Sequence, residues 1–342
     1  MPIRHPAVIF APDTKLPGND AFHALYVPNS ILSKTLQAIS STTPINYKPQ
    51  ALPRCDIAPY GMGIGHKEFT EDGEQVYKQA LMYLLTKDKR HAENALAIIE
   101  AWAGKCTAFE GDNAPLEIGW GTASMARGLE ILKHRYPEYR LPVEQKYIAF
   151  ADKILMPKLT KRIGWTNNWQ ITICEARLQL ALLREDRTSI DWAEKEFMRI
   201  VDVYVLPNGR TQETKRDMIH AQFGIGGLIH IAELFYHQGK PQLYAYKSNL
   251  LQKMVEYHAG ILNGKVPSDL VATNISQNWF IPTGWEIALH HYTVRKGISK
   301  SMPMPETTAL LNRNRPEKYT FHWGCGTLTH YLPNVQKEAT TT

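Results

Sequence analysis

The chain is short of the residues that staple or metallate a protein. Its four cysteines, Cys55, Cys106, Cys174 and Cys325, lie far apart in 342 residues, and no CxxC pair occurs. That spacing excludes zinc-ribbon and finger sites and gives no disulfide framework, so buried free thiols are expected. HExxH and HxxxH are also absent, and no acidic cluster flanks His290–His291, so no metal site is expected. There is no G-x-S-x-G elbow, and Cys174 sits in ITICEA among apolar residues rather than in an activating loop. Long apolar runs are missing too: none approaches the roughly 18 residues that cross a bilayer, so no membrane partner is expected. The N-terminus, MPIRHPAVIFAPDTKLPG, has only a short apolar run broken by prolines. It does not read as a signal peptide, so the protein is expected inside a cell unless a leader is absent from this chain.

Repeats of fixed period and βαβ alternation are lacking as well, which sets aside regular solenoids and doubly wound sheets. GMGIG at 61–65 follows no strand pattern and precedes a polar helix start, so it reads as a loop rather than a phosphate cradle. Basic residues are spread rather than clustered. That spread argues against nucleic acid, while the formal charge of +6 favours an anionic partner.

What is present is helical text. After about residue 65, apolar positions recur at three- and four-residue spacing, as in YKQALMYLL and AENALAIIEAWA. The pattern predicts helices over 71–86, 91–105, 117–135, 143–159, 168–183, 189–205, 218–237, 242–262 and 277–296. One further short candidate spans 21–39 in a Pro-, Ser- and Thr-rich N-terminal segment, 1–65, that is otherwise irregular. Connectors such as TKDKR and HQGKP are short, so neighbouring helices form antiparallel hairpins. Such a chain suits an α/α toroid or an irregular α-solenoid. No linker divides it, so a single domain over 1–342 is expected, with the N-terminal segment packed on it.

The densest chemistry lies in ETKRDMIHAQFGIGGLIHIAE, 213–233. Arg216 and His220 are four residues apart, one a permanent cation and the other titrating near neutrality. Asp217 suits a helix cap, and the glycines that follow admit a close backbone or ligand. Asn167–Asn168 opens another helix, where one Asn would cap and the other could donate its amide to a carboxylate. Trp120, Trp165 and Trp169, beside Gly, Asn or Thr at element boundaries, are candidates to stack on a sugar ring, as are Trp279, Trp285 and Trp323. Trp102, inside IIEAWA, reads as core. His291 and Arg295 are one turn apart, with Tyr292 close to Arg295.

Taken in order, NNW, RDMIHAQFGIGGLIHIAE, QGKPQLYAYKSNLLQKMVEY, HHYTVRKG and RPEKYTFHWGCGTL resemble the alginate lyase superfamily, and more narrowly the polysaccharide lyases of family thirty-eight. AENALAIIEAWA and LEIGWGTASMARGLEIL match the same pattern. The resemblance implies an all-α, (α/α) toroid of about six to seven hairpins that cleaves a uronic-acid polymer, alginate or glucuronan, by β-elimination without a cofactor or an obligatory metal. Arg216, Asn167 and Asn168 would then hold the uronate carboxylate. His220 and Tyr292 would share base and acid roles, with Tyr292 as the acid toward O4. Trp120, Trp165, Trp169, His291 and Arg295 would bind the polymer. The chain departs from the lyases of family five, in which the Asn is followed by His. Here a second Asn or Trp169 stands there, which shifts the histidine of interest to His220.

Two other readings remain open at this point. A glycoside hydrolase needs paired carboxyl groups, for which Asp217 with Glu175 or Glu213 are the candidates. A non-catalytic α-solenoid binding an anionic partner needs neither. On the polyuronate reading, affinity for an acidic polymer should fall as salt rises, because every sugar carries a charge. Titrations in increasing salt check this, with neutral glucans expected to show no binding.

Overall fold

A computed structural model describes residues 2–5, 28–59, 62–160, 164–270, 280–282, 284–295, 303–316, 324 and 326–331. Trp279, Trp323, Cys325 and parts of the 21–39 and 277–296 segments lie outside these residues. The described chain is mostly helical and separates into two compact units. One is formed by Met1–Ile9 with Ile39–Glu196, the other by Phe10–Ala38 with Phe197–Thr342.

In the first unit, helices α2 (His66–Thr86), α3 (Lys89–Lys105), α4 (Ala114–Arg135), α5 (Leu141–Phe150), α6 (Met156–Leu159) and α7 (Asn168–Arg184) follow one another, and α8 (Arg187–Tyr204) begins. A π turn, Ala151–Leu155, joins α5 to α6, so the single helix expected over 143–159 is three pieces. Contacts between α2 and α4 advance in the same direction along both, from His66 with Glu117, through Gly73 with Gly121, to Gly128 with Val76. Those between α4 and α7 do likewise, from Gly119 with Thr172 to Glu130 with Gln179. These helices therefore run parallel, with their N-termini at one end. Lys87 and Asp88 turn the chain straight from α2 into α3. α3 and α5 form a second, returning layer, linked by Arg140 to Glu93 and by Lys146 to Glu100.

Glycine makes the parallel packing possible. A methyl on Gly73 would lie 2.8 Å from Gly121 Cα, and one on Gly121 would lie 2.3 Å from the Phe69 ring. The small sheet of this unit was not foreseen. β1 (Arg54–Ala58) pairs antiparallel with β2 (Met62–Ile64) and parallel with β3 (Ala108–Glu110). Strands of this length show too little alternation to be read. Residues 62–64 of the glycine-rich stretch are thus a strand edge. Gly65 takes φ +91° against the Cys55 side chain and turns β2 into α2. The segment before the sheet is pinned by buried Asp72, which accepts from Tyr47 Oη (2.7 Å), the Gln50 amide (2.8 Å) and Trp102 Nε1 (2.7 Å). Trp102 is fully buried, as its apolar context predicts.

α1 (Ile31–Ser41) precedes all of these. The second unit contains α9 (Met218–His237), α10 (Tyr246–Leu262), α11 (Trp285–Val294), α12 (Pro305–Asn314) and α13 (Gly326–His330). α9 is long and apolar enough to cross a membrane by length and composition, but most of it is buried inside the unit, the pattern of a core helix. Its glycines serve packing: a Cβ on Gly224 would meet Tyr204 Oη at 2.1 Å, and Gly226 receives the backbone of Gly284.

This unit is organised around Glu233, fully buried on α9. Its carboxylate accepts from Arg295 Nη1 (2.8 Å) and Nη2 (2.6 Å), Tyr244 Oη (2.8 Å), His237 Nε2 (3.0 Å) and His330 Nε2 (3.2 Å). Burial alone would raise the Glu233 pKa, but Arg295 and the hydrogen bonds outweigh it and hold the acid well below its usual value. Burial pushes His330 down to about 4, so it donates as a neutral imidazole rather than as an ion-pair partner. Arg295→Leu strands a buried carboxylate and should cost about 3–5 kcal/mol in urea unfolding, with less lost when Glu233 is also made Leu. The pH sense follows from the depressed acid. Its stabilisation is present above the unfolded value near 4.5 and is lost as pH falls toward the folded one. The gap between the native protein and Glu233→Gln should therefore narrow in acid.

Candidate active site

Chemistry-bearing residues gather at the N-terminal end of α2, α4 and α7 in the first unit, and at the start of α9 in the second. In the first, Asn167 is the N-cap of α7, and its Oδ1 accepts from the Trp169 amide at 3.1 Å. The cap uses the oxygen only, so the Nδ2 hydrogens of Asn167 stay available to an incoming acceptor. Asn168, the other Asn of the pair, is 1% exposed inside the first turn. Trp165 is 63% exposed just before the helix, Trp169 is half-buried, and Trp120 is 6% exposed in the core face of α4. Of the three, the open indole is Trp165.

Three residues that were not candidates from the sequence, His66, Glu117 and Asn113, stand at the same end. His66, the first residue of α2, has Nδ1 3.0 Å from Glu117 Oε2, and Asn113 Nδ2 donates to Glu117 Oε1 at 3.3 Å. The Glu117 carboxylate beside the ring outweighs burial and raises the His66 pKa. The only sequence signal was a histidine directly after a turn glycine. Helices that share an end also share its partial positive charge, which favours an anion there.

In the second unit, Asp217 is the N-cap of α9. It accepts from the His220 amide (2.8 Å) and holds His220 Nδ1 with both oxygens, at 2.8 and 2.7 Å. An imidazole fixed through Nδ1 presents Nε2 for proton transfer, the division of labour of a carboxylate–histidine pair. The His220 side chain is 28% exposed. Arg216 does not share a helix face with it, because the cap places Arg216 in the turn before α9. It is half-exposed, with Nε 3.5 Å from Asp217 and Nη1 3.6 Å from Glu213. Arg216, Asp217 and His220 are nevertheless brought together.

Tyr292, His291 and Arg295 are placed otherwise. The Tyr292 hydroxyl donates to the Tyr244 carbonyl at 2.8 Å in the core, and burial raises its pKa. His291 stacks on Tyr244 with ring centroids 3.6 Å apart, and Arg295 is committed to Glu233. Trp285, another stacking candidate, is fully buried, with Nε1 donating to Ile281 O. The carboxylates weighed for hydrolysis are also engaged: Glu175 pairs with buried Arg127 at 2.8 Å, and Glu213 accepts from Tyr204 Oη at 2.9 Å.

The sequence model of the family described as Alginate lyase matches residues 59–266, more than half of the chain. The chain belongs to the alginate lyase family. No curated protein sequence matches it. Among solved structures it is similar to alginate lyase A1-III from Sphingomonas species A1, at 14% identity and TM-score 0.59, covering 89% of this chain and 95% of that one. A Tyr-to-Phe variant of A1-III complexed with tetrasaccharide gives 15% identity and TM-score 0.63, with the same coverage. A His-to-Ala variant complexed with tetrasaccharide gives 16% and 0.59, covering 89% of this chain and 94% of that one. At such identities these likenesses establish the fold.

For this alginate lyase family member the tryptophans should separate by exposure. Trp165→Ala should weaken polyuronate binding severalfold while stability stays within about 0.5 kcal/mol. Trp120→Ala should cost about 3–5 kcal/mol of stability. Calorimetric binding and thermal unfolding of both variants check the assignment.

Proposed function

We propose that the chain is a polysaccharide lyase that cleaves a uronic-acid polymer of alginate or glucuronan type by β-elimination, leaving a 4,5-unsaturated uronate end. The inner and returning helix layers of the first unit suit the (α/α) toroid on which this reading rests. The observation that carries the chemistry is the Asp217–His220 pair, with Arg216 beside it.

β-Elimination begins with a poor carbon acid, because the C5 proton leaves next to a charged carboxylate. Donors on that carboxylate stabilise the enolate that develops, and one such donor is worth about 10²–10³ in rate. Arg216, beside His220, is the group offered for this role, and Asn167, through Nδ2, is a donor that the first unit by itself offers to a uronate of the polymer. Asn168, buried in the first turn, supports the helix start. His220 Nε2 takes the C5 proton, while Asp217 orients the ring and stabilises the imidazolium. The same imidazolium can return the proton to O4 of the leaving sugar. That removes the need for Tyr292 as acid, a role poorly served by a hydroxyl bonded to a backbone carbonyl in the core. Trp165 is the stacking surface, and His291 and Arg295 are structural.

His220→Ala should lower turnover at least about a hundredfold with little change in melting temperature. Asp217→Asn should lose both turnover and some stability, since Asp217 also caps α9. Tyr292→Phe should affect stability more than turnover. The measurement is the rate of near-ultraviolet absorbance from the unsaturated product. Normal turnover in His220→Ala would place the proton transfer elsewhere.

A further inference from the structure

His66 is not needed for the proton transfers described above, yet its surroundings are built. Gly65, held in the left-handed region at φ +91° over Cys55, makes His66 the first residue of α2. Glu117, in the first turn of α4, is 1% exposed and has its oxygens divided between two partners. One faces His66 Nδ1 at 3.0 Å and the other takes Asn113 Nδ2 at 3.3 Å. A carboxylate 3.0 Å from Nδ1 favours a proton on that nitrogen and leaves Nε2 as the ring nitrogen for a ligand. The His66 side chain keeps 26% of its surface exposed, so that nitrogen is reachable.

We propose that His66, positioned by Glu117 and Asn113, is a carboxylate-recognition group whose Nε2–H donates to a uronate of the bound polymer. The proposal rests on the polyuronate reading and deepens it. Binding needs the imidazolium, because only then does Nε2 carry a proton while Nδ1–H faces Glu117. The charged groups that face the ring are Glu117 from α4 and Glu68 from α2, and both favour protonation. The sign is fixed accordingly. His66 is a donor below its pKa, which lies above the usual 6.5, and donation is lost as pH rises through it.

The test combines kinetics with a direct view of the ring. KM and kcat for a polyuronate are measured from mildly acid to mildly alkaline pH on the native protein, His66→Gln, His66→Lys and Glu117→Gln. The native KM should rise with pH. His66→Gln should raise KM about tenfold at low pH, as expected for a charged hydrogen bond, leave kcat nearly unchanged and flatten the profile. His66→Lys should restore a low KM that no longer depends on pH. Glu117→Gln should move the inflection to lower pH. In parallel, the His66 C2 proton is followed by NMR while a glucuronate or mannuronate oligomer is added. If the native protein makes no unsaturated product from any polyuronate, the lyase reading falls, and the NMR titration alone judges this proposal: a shifted His66 resonance supports it, an unmoved one overturns it. If product forms normally but His66→Gln keeps the native KM and pH profile, the lyase reading stands and His66 is structural.

Discussion

The closeness of α2, α4 and α7 governs the first unit. Gly73 meets Gly121 backbone to backbone, Gly128 lies against Val76, and Gly119 against Thr172. Each contact removes a side chain that would otherwise hold two helices apart. The helices therefore pack in parallel along their length, and their first turns arrive at one end together. That end carries the exposed Trp165, the Asn167 cap, and His66 with Glu117. A substituent at Gly73 or Gly121 would spread the helices and with them the groups gathered at that end.

The second unit solves a different problem, that of charge in an apolar interior. Glu233 is enclosed, and its cost is met by a bidentate arginine, a tyrosine and two histidines rather than by water. The histidine lying closest to solvent at the start of α9 belongs to a separate pair. Asp217 both caps α9 and holds the His220 ring, so one carboxylate serves the helix start and the orientation of the imidazole. Aromatic and cationic residues of α11 look like a site in sequence but are spent on the interior.

Much of this was legible. α9 was read at 218–237 and spans Met218–His237, because Asp217 caps it and its apolar face is continuous. That one of Asn167 and Asn168 caps α7 follows from the ordinary preference of Asn, and the structure shows it to be Asn167. What could not be read depended on partners far along the chain. Arg295 finds Glu233 sixty-two positions away, and Glu117 finds His66 across two helices. The apparent pairing of Tyr292 with Arg295, one turn apart, was the visible signal and the misleading one. Short strands and α12, between prolines and only ten residues long, gave too few periods to register.

The most direct measurement is the mass and absorbance of the products formed from pure polymannuronate, polyguluronate and polyglucuronate. β-Elimination predicts oligomers one water lighter than hydrolysis products, absorbing in the near ultraviolet, from at least one of the three. Oligomers with ordinary saturated non-reducing ends would contradict the account.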